Sequence, residues 1–417
     1  MSTQRVLVVG AGIVGLSTAY YLQKRGLQVE IIDAGDGNNN CSFGNAGYVS
    51  PSHLIPLASP GIISQGLRWM LNPESPFYIK PRLNSDLLRW GWLFKKAATH
   101  GKVQAAAPVL RDLMVKSQQL YEQIIHEEQI DAGYKKPGLL MICKTEQTLK
   151  HEVELVEMAQ KMGLEAEVLT REETERLEPA VKYDMHGSVY FACDAWMTPH
   201  QFMKLFQQKV AALGVKIHYG QTLTKLVRDN GRITRVTTQD NSFEADHVVI
   251  TAGSWSPLLA KQVGLNIPLQ PGKGYSFMLN NPPKMTSLPA ILVEGRLATT
   301  PMQDGLRFAG TMELSGHNHD IRQNRINGIV KSIKEFMPDF RDVDFSTVKP
   351  WAGLRPCTPD GLPYIGGTKK ANNLYIGTGH AMLGWTLGPV TGHLLAEQIT
   401  EKKMSIQSPL IGVDRYA

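Results

Sequence analysis

A chain of 417 residues that is 42% hydrophobic and 20% charged has the composition of a folded globular protein, which excludes a disordered or fibrous one. Its length argues for two domains, and 44 Lys and Arg against 38 Asp and Glu leave a formal charge of +6. That excess is scattered, with no basic block to track phosphates, which speaks against a nucleic-acid partner; it suits a carboxylate substrate or an anionic membrane surface. The four cysteines, Cys41, Cys143, Cys193 and Cys357, match neither a disulfide framework nor a zinc spacing. Reduced thiols, a cytoplasmic setting and no metal are expected.

The chain opens as strand, tight turn, helix and strand: Arg5–Val9, Gly10–Gly12, a helix to about Arg25, then Gln28–Ile32. The apolar run Val6 to Leu22 imitates a signal peptide, but glycines at fixed offsets assign it to the fold, and no other stretch is apolar enough to span a bilayer. A long Gly/Asn/Ser/Pro-rich loop follows, from Ala34 to about Gly66, and loops of that length carry function. Ser85 to Gln129 is helical, with Trp90, Trp92, Leu93 and Phe94 marking an apolar, core-facing side. Gly138–Lys144 predicts a strand, Glu146–Lys161 a helix, and the segment after Pro199 another helix. Strands are expected over Val215–His218, Leu223–Asp229, Gly231–Thr238 and Ala245–Ile250. An antiparallel region covers Ile267 to Phe308, Ile321–Phe336 is a helix, and the last helix starts after Gly388-Pro389.

The segment Gly10-Ala11-Gly12-Ile13-Val14-Gly15 follows a strand, opens a helix, and has Asp33 at the end of the next strand. In a dinucleotide site Gly10 permits the turn, Gly12 lets backbone approach the pyrophosphate, and Gly15 allows close helix–strand packing. The helix N-terminus, with Ile13 and Val14 in its first turn, offers N–H groups to the anion, and Asp33 can accept from a ribose hydroxyl. This motif does not separate NAD from FAD. The far end is the second unusual region: Gly353-Leu354-Arg355-Pro356, then Gly377-Thr378-Gly379-His380, then Gly384-Trp385-Thr386-Leu387-Gly388-Pro389. Its glycines suggest backbone wrapped closely around a ligand.

Four segments in order carry a resemblance to the FAD-dependent D-amino acid oxidase superfamily, and within it to bacterial D-amino acid dehydrogenases. They are the fingerprint, Ser42-Phe43-Gly44-Asn45-Ala46-Gly47-Tyr48-Val49-Ser50-Pro51, Val248-Val249-Ile250-Thr251-Ala252-Gly253-Ser254-Trp255, and the C-terminal stretch. The resemblance spans essentially the whole chain. It implies an α/β fold: a Rossmann-type FAD-binding domain (1–70, 190–262 and 350–417) interleaved with an α+β substrate domain on an antiparallel sheet (71–189 and 263–349).

The resemblance also implies roles. Ser42, Asn45, Ala46 and Gly47 would lie along the flavin, and Ala252, Gly253 and Trp255 beside the adenine half. Gly379, His380, Gly384, Trp385, Thr386 and Leu387 would bring a helix N-terminus to the flavin pyrimidine, where its dipole favours the reduced ring. Arg355 would hold the substrate carboxylate, its alternative being an ion pair with Asp360; Tyr275 would reach the same pocket or else simply pack in its sheet. His53 and His380 are donors to substrate or flavin, or only satisfy local hydrogen bonds. Cys357 does not fit the covalent-flavin pattern of sarcosine oxidases, so FAD is expected to be non-covalent. The implied reaction is oxidation of a D-amino acid, D-proline and cis-4-hydroxy-D-proline included, by hydride transfer from Cα to flavin N5, giving a 2-oxo acid or a cyclic imine. A glycine or sarcosine oxidase using O2 stays open, as does a flavin-binding or tRNA-modifying domain. The sequence leaves open the oligomeric state, the acceptor (a quinone among the candidates), and peripheral association with the inner face of a membrane.

Overall fold

The structure is a computed structural model that describes residues 3–70, 72, 74–82 and 84–417. Its first sheet has six strands in the spatial order Tyr364–Thr368, Ala371–Thr378, His247–Ile250, Arg5–Val9, Gln28–Ile32 and Lys216–His218. All its pairs are parallel except the hairpin formed by the first two. Arg5–Val9 sits centrally because Val6 to Val9 are apolar and buried on both faces, the pattern a parallel strand between helix layers requires. The chain leaves this strand toward Gln28–Ile32 on one side, while His247–Ile250 enters on the other. Strand order therefore reverses at Val9–Gly10, and the crevice at the carboxyl ends opens there.

Two helices cover one face. Ile13–Lys24 follows the fingerprint and is buried from Ile13 through Leu22; Gly388–Glu401 crosses it at close range. A Cβ on Gly388 would lie 2.6 Å from Ile13 Cγ1, and one on Gly392 2.5 Å from the Ser17 carbonyl carbon. These two glycines exist for helix–helix contact.

The second sheet follows the order Trp351–Cys357, Gln270–Leu279, Gly305–Leu314, Leu297–Met302, Ala290–Leu292, Leu139–Cys143, Gly187–Phe191 and Ala166–Thr170, with Phe77–Ile79 beside the end of Gly305–Leu314. It is antiparallel apart from two joins, Ala290–Leu292 with Leu139–Cys143 and Phe77–Ile79 with 312–314. The helix Gln323–Phe336 closes one face over Phe277, Phe308, Leu140 and Ile142. The fold is thus mixed α/β, a Rossmann-type parallel sheet beside a largely antiparallel one.

Several expectations shift. The helical stretch 85–129 is two helices, Ser85–Ala97 and His100–Glu128, separated where Thr99 Oγ1 accepts the Lys102 amide and starts the second. Trp90 is buried, but Trp92 is 56% exposed with the Lys96 ammonium 3.5 Å over its ring, so only one of the pair is core. The strands Ala166–Thr170 and Gly187–Phe191 and the helix Arg171–Leu177 escape a periodicity reading because they are short. Trp351–Cys357, on the parallel-sheet side of the boundary drawn at 350, pairs with Gln270–Leu279 in the other sheet. Among the described residues no helix is long and apolar enough to cross a membrane.

Candidate active site

A cavity of about 1790 Å³ runs from the crevice at Gly10 across the face of the second sheet. The fingerprint forms one end. Gly10 has φ +111°, and a Cβ there would sit 2.7 Å from Thr251 O. Gly15 lies off the cavity wall, where a Cβ would strike Gly10 O. Gly12 differs from both: a Cβ would approach only Ser42 Oγ, at 3.6 Å, and would point into the cavity. Ile13 N–H donates to Ser42 Oγ at 3.0 Å, tying the helix start to the loop. Asp33 lines the cavity, and its carboxylate accepts the Ala11 amide at 2.6 Å and the Gly35 amide at 2.7 Å. It therefore shapes the turn as well as facing any ribose.

The loop at 42–47 is held from the second sheet. Arg307 Nη1 donates to Phe43 O (3.1 Å) and Asn45 O (2.8 Å), Ser276 Oγ to Gly44 O (3.0 Å), and Thr300 Oγ1 to Ala46 O (2.7 Å). Sequence reasoning missed all three residues, since each partner lies more than 200 positions away and leaves no local signature. Asn45 Oδ1 accepts the Gly47 amide at 2.8 Å, an Asx turn that leaves its amide group for the cavity. Gly47 (φ +87°) is off the wall; a Cβ would meet Met197 O at 2.3 Å.

Ala252, Gly253 and Trp255 line the cavity, as do His380, Gly384, Trp385 and Thr386; Gly379 and Leu387 do not. Gly379 (φ +83°) is glycine because a Cβ would meet Thr358 Cγ2 at 2.5 Å, and Leu387 is fully buried in the core. The amides at the start of the last helix have local partners. Gly388 N–H is bonded to Trp385 O, Pro389 has none, and Val390 N–H donates to Ser117 Oγ, so the helix's own first amides are engaged within the protein.

Arg355 reaches the cavity from Trp351–Cys357. Its Nη1 donates to Thr311 O at 2.5 Å, and its guanidinium lies across Gly274, where a Cβ would be 2.3 Å from Arg355 Cζ. Among the described residues it makes no ion pair. Asp360, the alternative partner, is gripped instead by Arg415 (Nε–Oδ2 2.9 Å, Nη2–Oδ1 3.0 Å).

Tyr275 requires a correction. It lines the cavity, but its hydroxyl donates to Glu313 Oε2 at 3.1 Å inside a buried cluster that also holds Lys273, whose Nζ donates to Asn318 Oδ1 and Asp320 O at 2.7 Å. Strand alternation puts Lys273 and Tyr275 on one face of Gln270–Leu279 and Gly272, Gly274 and Ser276 on the other. Its hydroxyl is therefore engaged away from Arg355.

His53 and His380 both line the cavity. Burial pushes His53 down to about 4 and His380 down to about 3, so both are neutral near pH 7. His380 Nε2 pairs with Thr391 Oγ1 at 2.8 Å, a local hydrogen bond. Beside His53, the Ser52 amide and hydroxyl both donate to the buried carboxylate of Asp194 (3.0 and 2.6 Å), whose pKa burial raises to about 6.

The residues suit a dinucleotide with a polar ring system. Gly12 lines the cavity with only Ser42 Oγ within 4 Å of where a Cβ would be, which leaves its backbone open to the close approach of a pyrophosphate. Cys357 is fully buried with its thiol pushed up to about 12 and lies off the wall, a poor candidate for a covalent link.

Fold and cavity together define a flavin-type dinucleotide oxidoreductase. Residues 5–398 match the DAO family, described as FAD dependent oxidoreductase, and the chain belongs to that family. It is an FAD-dependent enzyme. Among named relatives, a D-amino acid dehydrogenase of Allorhizobium ampelinum is 32% identical over 421 residues, 99% of both chains, and one of Granulibacter bethesdensis is 32% identical over 422 residues, 99% of this chain and 100% of that one. Two solved structures share the fold. Glycine oxidase from Geobacillus kaustophilus superposes with a TM-score of 0.81 at 21% identity over 100% of both chains. L-proline dehydrogenase from P. horikoshii does so with 0.77 at 18% identity, covering 100% of this chain and 98% of its own.

Proposed function

We propose that the enzyme oxidises the Cα–N bond of D-amino acids, with Arg355 holding the substrate carboxylate. The observation that carries this reading is a cavity guanidinium that, among the described residues, has no carboxylate partner and is fixed through Nη1 alone. Its remaining donors match the two oxygens of a carboxylate, and the partly buried setting strengthens that pairing. The names of the relatives support an amino acid as the molecule that carries it.

When bound, FAD supplies a two-electron hydride acceptor. We assign it, held without a covalent bond, to the crevice at Gly10–Val14, the carboxylate of Asp33, the loop at 42–46, residues 252–255 and the segment 384–386. The protein's own contribution is positional. Arg355 anchors one end of the substrate and leaves the Cα–N end to face the dinucleotide, which is how a fixed geometry lowers the barrier. Neutral His53 and His380 put no positive charge beside the amine, and neither is basic enough to take its proton near neutrality. The amine therefore loses its proton to solvent before the Cα–H leaves as hydride. The resulting imine takes up water to give a 2-oxo acid and ammonia, while a proline ring gives a cyclic imine.

A quinone is the proposed acceptor, reached at the inner face of a membrane. Exposed Ile63, Leu67, Trp255, Leu258, Ile321 and Met382 line the cavity, an apolar mouth suited to a lipid-borne carrier.

Anaerobic mixing of the FAD-loaded enzyme with D-amino acids, D-proline, cis-4-hydroxy-D-proline, glycine and sarcosine tests the reading. Bleaching by D-amino acids is expected. Bleaching by glycine or sarcosine alone would replace it with a glycine-oxidase activity, and no bleaching by any of them would remove it. Reoxidation faster with a short-chain quinone than with O2 is the expected acceptor result.

A further inference from the structure

Arg355 is held by two features of the neighbouring strands that no motif announces. In the ladder between Gln270–Leu279 and Gly305–Leu314, Lys273 faces Glu313 and Tyr275 faces Gly310. One residue, Gly274, therefore stands opposite two, Thr311 and Met312. This is a β-bulge, a device that re-aims backbone groups beside functional sites. Thr311 takes the left-handed conformation at φ +63°, which a β-branched residue adopts only when its surroundings impose it. The turn it makes presents its carbonyl to Arg355 Nη1 at 2.5 Å. On the third strand, Gly353, Leu354 and Arg355 pair with Gly274, Lys273 and Gly272. The guanidinium folds back over Gly274, and a Cβ there would lie 2.3–2.4 Å from Cζ, Nη1 and Nη2.

We infer that Thr311 and Gly274 are positioning residues that clamp the Arg355 guanidinium, the bulge carbonyl fixing Nη1 and the bare glycine leaving the space in which the planar group lies. Nε and Nη2 bond to no protein atom among the described residues, so the clamp sets the direction in which they meet a carboxylate. The inference rests on the proposed role of Arg355 and adds the parts that aim it.

Gly274 is a clean probe. Its φ is not in the left-handed region, so alanine suits its backbone, and the three nearest atoms to the added methyl all belong to the Arg355 guanidinium. The experiment measures binding of a non-oxidisable carboxylate, propionate, by perturbation of the flavin spectrum, and steady-state kinetics with the best amino acid. It compares wild type, Gly274→Ala, Arg355→Lys and the double variant Gly274→Ala/Arg355→Lys, with FAD content and Tm measured for each. Gly274→Ala should weaken propionate binding and raise KM at least tenfold with FAD content unchanged. In the Arg355→Lys background, Gly274→Ala should add less than twofold, because its effect acts through the guanidinium.

Failure is separable. If Arg355→Lys binds propionate like wild type, the carboxylate site itself is elsewhere. If Arg355→Lys loses binding but Gly274→Ala does not, the clamp is overturned while the carboxylate reading stands. An equal loss from Gly274→Ala in both backgrounds would mean that the methyl blocks the cavity directly, which also overturns the clamp.

Discussion

Arg415 and Asp360 form a two-pronged ion pair, with Nε–Oδ2 at 2.9 Å and Nη2–Oδ1 at 3.0 Å, and Arg415 also donates to Leu362 O and Pro363 O. The guanidinium lies 3.8 Å over the Tyr364 ring, and both charged side chains are largely buried. The chain's last residues are thereby locked to the loop that follows Arg355, and Asp360 is withdrawn from it. One arginine of this region is structural and the other faces the cavity.

That division predicts opposite phenotypes. Arg415→Ala leaves a mostly buried carboxylate without its partner and should cost about 2–4 kcal/mol of stability, with carboxylate affinity preserved in the folded fraction. Denaturant unfolding beside propionate titration checks both halves. A normal midpoint would show that the pair contributes nothing.

For Arg355 the expectation reverses. Arg355→Lys keeps the charge but not the planar fork, so it should be nearly as damaging as Arg355→Ala, lowering kcat/KM by about thirtyfold to a thousandfold, on the order of 2–4 kcal/mol. FAD occupancy and Tm should stay near wild type. Rapid-mixing reduction of the flavin measures it, and normal reduction in the lysine variant would move the carboxylate site.

Asp33→Ala should release FAD more readily. It deletes the acceptor for the Ala11 and Gly35 amides as well as any ribose contact, and charged hydrogen bonds of this kind are worth about 1.5–3 kcal/mol, a tenfold or larger loss of affinity. Equilibrium dialysis of flavin gives the number. In the same preparation, denaturing the wild-type enzyme should free all the flavin; yellow colour remaining on the precipitated chain would contradict non-covalent binding.

Asp194 makes a prediction about pH. Burial raises its folded-state pKa from 3.8 to about 6, so the folded protein binds this proton more tightly than the unfolded chain. The associated stability is complete below about pH 4 and is lost as pH rises toward and through 6. Asp194→Asn cannot titrate, so the Tm of wild type minus that of the variant should fall between pH 4 and pH 7. A pH-independent difference would mean that the Ser52 hydrogen bonds hold the folded pKa near its ordinary value.

Local chemistry was enough to read much of this molecule. Glu146–Lys161 and the opening strands follow from local patterning, and Gly10, Gly12 and Asp33 from the needs of a turn beside a dinucleotide. These features depend on residues within a few positions of one another, and the sequence displays such neighbours. The aim of each side chain was decided only by tertiary structure. Alternation along Gln270–Leu279 shows that Gly274 and Tyr275 face opposite ways, but not that the cavity lies on the glycine side. Gly388 looked like a ligand-wrapping glycine and is a contact with Ile13; Arg307 looked like a strand residue and holds the loop at Phe43 and Asn45. Nothing near Arg355 in sequence reveals that Thr311 will bulge toward it or that Arg415 will take Asp360. Such pairings join residues tens to hundreds of positions apart, and only packing in three dimensions selects among the partners that local chemistry allows.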